Sequence, residues 1–439
     1  MTPDEDDPQT SELEGSEILS FNGKLTLTPS DNHRFELFAT LIDEDRELRS
    51  SNSSGRYYAT RYELDKYMAG VGWSGKIGPT ESKLNLYRSR IDKLSTQRYD
   101  DDSSTSETPD IVTNDVLDGQ CSLLLAAHRI TLGGEYRLEK IEADSLEDAG
   151  GEEEVTHKAL FLQDEFGFFG DRLQLTPGLR YDHHEYFGSE LSPRVYAVFK
   201  LTDRLNLKAG YGHAFNAPTA KQVSSGYNAS TGPHRILGNP EVEPETSDSY
   251  EIGVEYFGDA VTAKAFCFRN DVDDLIANNR IGSFGPGGRF GIYQADNVDK
   301  ARIQGVETEL EIVLPYALRL WVNYSYLDAE DTENDEPLPG RPEHSVNLKL
   351  AHTLQSLGLH TVLRYQYVGE QFFENDDDRM QRVPGYSLWH ASVSKTLSDH
   401  FDLQLGVENI GDVRLRDDAE LYSYEERGRF VYANLRAHF

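Results

Sequence analysis

The sequence is poor in the residues that cross-link or anchor most other folds. It has two cysteines in 439 residues, Cys121 and Cys267. They stand far apart and outside any CxxC or Cys/His spacing. That argues against a disulfide-stapled domain and against a sulfur-built zinc site; two isolated cysteines are expected. Methionine and tryptophan number three each. No apolar run approaches the roughly 18 residues of a membrane helix. Positive charge is scarce as well, 43 Lys and Arg against 76 Asp and Glu, a formal charge of −33. A nucleic acid would be repelled by that charge. An export signal is also lacking, since Met1 leads into Thr-Pro-Asp-Glu-Asp-Asp rather than a basic and then apolar segment.

What is plentiful is Tyr, at 24, and Phe, at 20. The apolar residues recur with period two. In Phe401–Glu408, Phe401, Leu403, Leu405 and Val407 alternate with Asp402, Gln404, Gly406 and Glu408. Leu205–Gly212, Leu318–Tyr326 and Leu357–Tyr367 read the same way. One face suits lipid and the other a wet lumen. A soluble β-sandwich also alternates, but three features favour a barrel. First, 19 candidate strands emerge, several longer than the five or six residues usual in soluble sheets. Second, tight turns (78–79, 169–170, 202–203, 258–259, 315–316 and 398–400) alternate with long connections (48–61, 96–111, 145–152, 216–245, 277–289, 330–341, 373–383 and 414–425). A single strand is expected over 290–314. Third, Tyr181, Tyr211, Tyr324, Tyr326, Tyr365 and Tyr367 collect towards the long-loop end, like an interfacial girdle. The last strand carries Val431, Ala433, Leu435, Ala437 and Phe439 on one face. The fold class expected is all-β, an antiparallel transmembrane β-barrel of about 19 strands in a Gram-negative-type outer membrane.

Strand parity adds a further expectation. With a periplasmic C-terminus, the first of 19 strands also runs downward, so an odd number of strands would precede residue 1. Residues 1–15, acidic and containing proline, then read as the remnant of an extracellular loop, and 16–439 as the barrel domain. The acidic runs at 4–7, 100–102, 152–154 and 376–378 read as solvated loop surface; bridging by divalent cations stays open as an alternative.

From about residue 190 onward a series of short motifs falls in a characteristic order. They are Ser192-Pro-Arg194; Tyr211-Gly-His-Ala-Phe-Asn-Ala-Pro218; Gly238-Asn-Pro-Glu-Val-Glu-Pro-Glu-Thr246 with Tyr250-Glu-Ile-Gly-Val-Glu-Tyr256; Phe268-Arg-Asn-Asp271; Tyr293-Gln-Ala-Asp-Asn-Val-Asp-Lys-Ala301 with Gln304-Gly-Val-Glu307; Leu338-Pro-Gly-Arg-Pro342; Val383-Pro-Gly-Tyr386; and Val407-Glu-Asn-Ile-Gly-Asp412. Together they resemble a TonB-dependent outer-membrane receptor. The 268–271 and 293–301 stretches resemble the ferric-catecholate, enterobactin and colicin I receptor group. Residues 1–189 match only in pattern. The resemblance implies a 22-stranded barrel filled by an N-terminal plug. Neither plug nor TonB-engaging segment is recognisable, so the first three strands and the plug would be missing. It also implies a transported Fe(III)-siderophore and no resident cofactor or metal. The implied partners are TonB-ExbB-ExbD through a plug, outer-membrane lipid and lipopolysaccharide, and colicin or phage; the implied state is a monomer. Most motif residues read as structural. Gly253 and Gly305, for example, leave space on the lumen side where another chain segment could lie close.

A receptor for bulky anionic ligands needs cations and aromatics on the loops facing its vestibule. The loops offer Tyr227, His234, Arg235, Arg280, Arg289, Arg379, Arg382, Tyr424 and Arg427. In so acidic a chain the arginines could equally pair with neighbouring carboxylates. His183 and His184, adjacent on a strand, point to opposite faces and make no shared metal site. A cobalamin or haem receptor remains an alternative. So does an outer-membrane protease or phospholipase, although no Ser/His or Asp/His constellation stands out; no catalytic residue is expected.

Overall fold

The computed structural model describes all residues except 1, 4–8, 14, 53, 102–104, 147–149, 232–233, 286–289, 298–299, 375–379, 416–427 and 439. Nineteen strands form the wall: β1 Gly15–Ser30, β2 His33–Ser51, β3 Tyr57–Ile77, β4 Thr80–Tyr99, β5 Thr105–Leu125, β6 His128–Ala143, β7 Glu152–Phe168, β8 Leu173–His184, β9 Gly188–Thr202, β10 Leu205–Asn216, β11 Glu245–Phe257, β12 Val261–Asp273, β13 Ala301–Leu314, β14 Leu318–Asp331, β15 His344–Leu354, β16 Leu359–Val368, β17 Tyr386–Ser398, β18 Phe401–Glu408 and β19 Phe430–Ala437. With the two-residue strand Glu336–Pro337 between β14 and β15, they close into a barrel in sequence order, β19 beside β1. Antiparallel ladders join each strand to the next; β10 and β11, for instance, are paired from Leu205↔Tyr256 to Asn216↔Glu245. Among the described residues no helix is long and apolar enough to cross a membrane.

The alternation sorts side chains by face. Leu207, Val254 and Ile252 stand exposed on the outside, as do Leu37, Leu86, Leu162, Leu179 and Leu405. Their neighbours line the lumen, where Lys208 Nζ meets Glu255 Oε1 at 2.8 Å and Lys264 Nζ meets Glu309 Oε2 at 3.1 Å. This inverted pattern, apolar outside and polar inside, is what a bilayer selects. Several of the expected girdle aromatics pair with rings on the neighbouring strands. Tyr211 packs on Tyr250 at 5.3 Å between ring centroids, Tyr365 on Trp389 at 4.7 Å, and Tyr324 and Tyr326 both face His344. Cys121 and Cys267 are both free, on strands far apart in the wall.

Several expected boundaries move. Most of 48–61 and 96–111 is strand rather than loop, and β2 to β5 run to 19, 21, 20 and 21 residues. A spanning strand needs only about 9–11 residues, so these strands project beyond the apolar band. Charge pairs hold the extensions: Arg61 Nη2 lies 3.0 Å from Asp45, and Arg49 Nη2 2.5 Å from Asp100. The strand expected over 290–314 is two. Phe290–Asn297 leaves the wall for a loop sheet, and the wall strand starts at Ala301. The acidic run 152–154 opens β7 rather than lying in a loop, with Lys140 bridging Glu142 and Glu152; 4–7 and 376–378 lie outside the described residues. In the terminal segment, Thr2–Pro3 and Ser11–Leu13 pair as a two-stranded sheet.

The lumen-side glycines have a different reason from the one expected. A Cβ on Gly253 would strike the Phe266 ring of the next strand, and one on Gly305 would strike Tyr326 O and the Phe268 ring. Neighbouring aromatics of the same wall occupy that space. Gly133 under Phe161 and Gly406 under Tyr432 repeat the arrangement.

Candidate functional site

Two long connections build a sheet of their own at one end of the barrel. After β10, Asn228–Thr231 turns back antiparallel onto His234–Leu237. After β12, Ile276–Phe284 turns back onto Phe290–Asn297. A parallel ladder, Arg235↔Ile292 to Leu237↔Gln294, joins the two hairpins into a four-stranded sheet. Side chains reinforce the joint. Gly291 N–H donates to His234 Nδ1 at 2.9 Å, Gln294 Nε2 donates to Gly238 O at 3.0 Å, and Asn297 Nδ2 donates to Glu243 O at 2.8 Å. Because Nδ1 accepts, the neutral His234 carries its proton on Nε2.

Register decides what this sheet offers. Tyr293 stands opposite both Ile236 and Arg280, so with His234 it shares one face with Arg280. The His234 and Tyr293 rings meet edge-on at 5.7 Å. Arg235 points to the other face, its guanidinium 5.0 Å from the Phe284 centroid, with Phe290 alongside at 5.5 Å. His234, Arg235 and Arg280 are therefore brought together on one element but on two faces.

Tyr227 sits next to this sheet but does not face a vestibule. It is partly buried against the cluster of Ile141, Ala143, Leu146, Val155 and Ala220. Burial pushes its phenol up, and the Asp110 carboxylate adds to the effect. That packing was concealed by its loop position in the sequence. Arg382 lies on another hairpin, Gln371–Glu374 with Met380–Val383, and pairs with Glu370. Arg289, Arg379, Tyr424 and Arg427 lie outside the described residues.

Below the loops the lumen wall of β6 to β10 holds a cavity of about 710 Å³. Asp182, 2 % exposed, lines it. It accepts from Arg180 Nε at 3.0 and 2.9 Å, and His157 Nε2 lies 2.9 Å away. Arg137 Nη2 reaches Glu135 at 2.7 Å, and Arg194 bonds Gln163. Sequence reading missed this network because it spans several strands that only register joins. The alternation of Gly178, Arg180 and Asp182 on one face of β8 was the available signal. His183 and His184 do diverge: His183 Nδ1 meets Ser189 Oγ at 3.0 Å, while His184 stacks on Phe187 at 4.9 Å. Glu185 accepts from Thr156 N–H and Oγ1, both at 2.9 Å, which holds its carboxyl below the usual glutamate range. Among the described residues no group of three or more His, Cys, Asp or Glu is placed to hold a metal ion.

Comparison with known proteins accords with this architecture. The chain is 26% identical over 444 residues to the iron-regulated outer membrane virulence protein of Vibrio cholerae, covering 95% of this chain and 65% of that protein. It is 30% identical over 319 residues to the ferric enterobactin receptor of Pseudomonas aeruginosa, covering 64% of this chain and 42% of that protein. The chain thus spans less than two thirds of the length of these relatives. Among solved structures, a mutant ferric enterobactin receptor of P. aeruginosa superposes with a TM-score of 0.83 at 23% identity, over 97% of this chain and 70% of the other. A copper transporter superposes at 0.78 and 16% identity, over 96% and 72%. These matches are to receptors and transporters rather than enzymes. Residues 6–410 match the model of the TonB dependent receptor-like β-barrel, and the chain belongs to that outer-membrane receptor family.

Proposed function

We propose that this chain is the barrel of an outer-membrane receptor that takes up a ferric siderophore, of catecholate type, with energy delivered through TonB. The observation that carries the reading is the loop sheet. It fixes Arg280, Tyr293 and His234 on one face, a cation beside two aromatic rings, which is the chemistry an anionic, ring-bearing iron chelate requires. The sequence relatives named for enterobactin and iron regulation support the same ligand class. The copper transporter with the same fold shows that architecture alone does not choose the cargo. In this reading the loop sheet lies outside the cell, the C-terminus is periplasmic, and 16–439 is the membrane domain. Residues 1–15 are an external loop segment. A plug domain would engage TonB-ExbB-ExbD, and the receptor works as a monomer among lipid and lipopolysaccharide. Fe(III) arrives as cargo, and no resident cofactor takes part. Colicins or phage would use the same external loops.

The test is uptake by iron-starved cells whose only receptor is the whole protein containing this barrel. Labelled ferric catecholate should enter in a TonB-dependent way, while cobalamin and haem should not. Arg280→Ala should weaken binding about tenfold or more, the cost of one charge-assisted contact. Uptake of cobalamin or haem with no catecholate uptake would overturn the ligand class. Unchanged affinity in Arg280→Ala would overturn the binding face.

A further inference from the structure

The largest buried apolar cluster among the described residues joins the barrel wall to its loops. It lies where the β10–β11 connection meets the inner face of β5 to β7. Val112, Ile141, Ala143 and Val155 share the lumen side of these strands, as their pairings Val112↔Ile141 and Glu139↔Val155 require. Onto this patch sit Ala220, from the one-turn helix Ala220–Val223, and Tyr227. Leu146, 0 % exposed, closes over them from the β6–β7 connection. Backbone bonds fasten the contact. Leu146 and Tyr227 form an antiparallel bridge, and Asn228 N–H donates to Ser145 O at 3.0 Å. Lys221 pairs with Asp110 of β5. The other end of the same connection is the His234–Leu237 strand, joined in parallel to the β12–β13 connection.

One segment thus touches three otherwise separate places: the inner wall at β5 to β7, the β6–β7 connection and the β12–β13 connection. Burying Leu146 completely gives this contact a hydrophobic anchor that surface loops ordinarily lack. We propose that the segment between β10 and β11 is a strap, and that its latch at Leu146, Ala220 and Tyr227 binds the three connections into one cooperative unit. Releasing the latch loosens the distant Phe290–Asn297 strand as well as the strap itself. Tyr227 and Leu146 are positioning residues, which set the shape of the loop sheet without touching a ligand.

Hydrogen exchange of the full chain in detergent micelles tests the coupling and needs no ligand, so it stands apart from the ligand proposal. Leu146→Ala should speed exchange at Phe290–Asn297 at least tenfold, with the wall strands unchanged. Tyr227→Phe, which keeps the ring, should leave it near wild type. A Leu146→Cys/Tyr227→Cys pair, in a Cys121→Ser/Cys267→Ser background, gives a second measurement should Leu146→Ala fail to fold. An antiparallel bridge places the two residues within disulfide range. Oxidation should slow exchange at Phe290–Asn297 relative to the reduced form of the same protein. Exchange there that ignores both Leu146→Ala and the redox state of the pair would show independent loops and overturn the proposal.

Discussion

Gly253 offers a direct test of how the wall is packed. A Cβ there would come well inside van der Waals contact with the Phe266 ring, with even Cγ at 2.9 Å. The ring lies on the lumen side opposite Gly253, and Lys208 Nζ stands 5.9 Å from its centre. Gly253→Ala must therefore displace the ring, an overpacking cost of about 1–3 kcal/mol. Phe266→Ala removes the partly buried ring and should cost about 1–2 kcal/mol, below the value for full burial. If the glycine exists to seat the ring, the double variant must cost less than the sum, with a coupling of about 1–2 kcal/mol. Urea unfolding in phospholipid vesicles, followed by tryptophan fluorescence, would measure all four corners of the cycle. Additive costs would refute the reasoning, since they would mean that Gly253 serves backbone conformation and not ring seating. A Gly253→Ala protein as stable as wild type would refute it equally.

Three further outcomes follow. The folded pKa of Glu185 lies below the ordinary glutamate value because it accepts two bonds from Thr156. Its contribution is therefore present above that ordinary value and lost as pH falls through the folded one. Exchange of the Thr156 amide should accelerate in that acidic window, and Glu185→Gln should flatten the profile; a wild-type profile in Glu185→Gln would refute the assignment. Arg382→Ala should leave ligand affinity within about twofold, because Glu370 already pairs that guanidinium away from the loop sheet. A loss comparable to that of Arg280→Ala, read by titration of the same ferric catecholate, would return Arg382 to the binding face. Reduction should not change the mobility of the folded barrel on semi-native gels, since Cys121 and Cys267 are unpaired on strands far apart in the wall; a shift would indicate a bridge.

The barrel itself was legible from the chain. Period-two alternation reports directly on which side of a strand meets lipid, so Leu205, Leu207 and Ala209 announced their face without tertiary information. Turn chemistry then placed most strand boundaries, and the ordered motifs after residue 190 named the family. Boundaries failed where the signal was weak by nature. Charged extensions such as Asp45 with Arg61 alternate without being apolar, and Phe290–Asn297 is as strand-like as the wall it leaves.

The site was less legible, because it depends on partners distant in sequence. Composition could nominate His234, Arg235 and Arg280 as loop cations, yet only the parallel joint between two hairpins puts Arg235 and Arg280 on opposite faces. Tyr227 was nominated as a loop aromatic, and nothing in the sequence signalled that it packs against Leu146 and the inner face of β5 to β7. The alternation of Arg180 and Asp182 was visible, but the contribution of His157, 25 residues away, was not. A sequence determines local periodicity, and hence strand and face. Register, loop-to-loop pairing and burial are set by contacts between segments tens to hundreds of residues apart, and those only the folded chain decides.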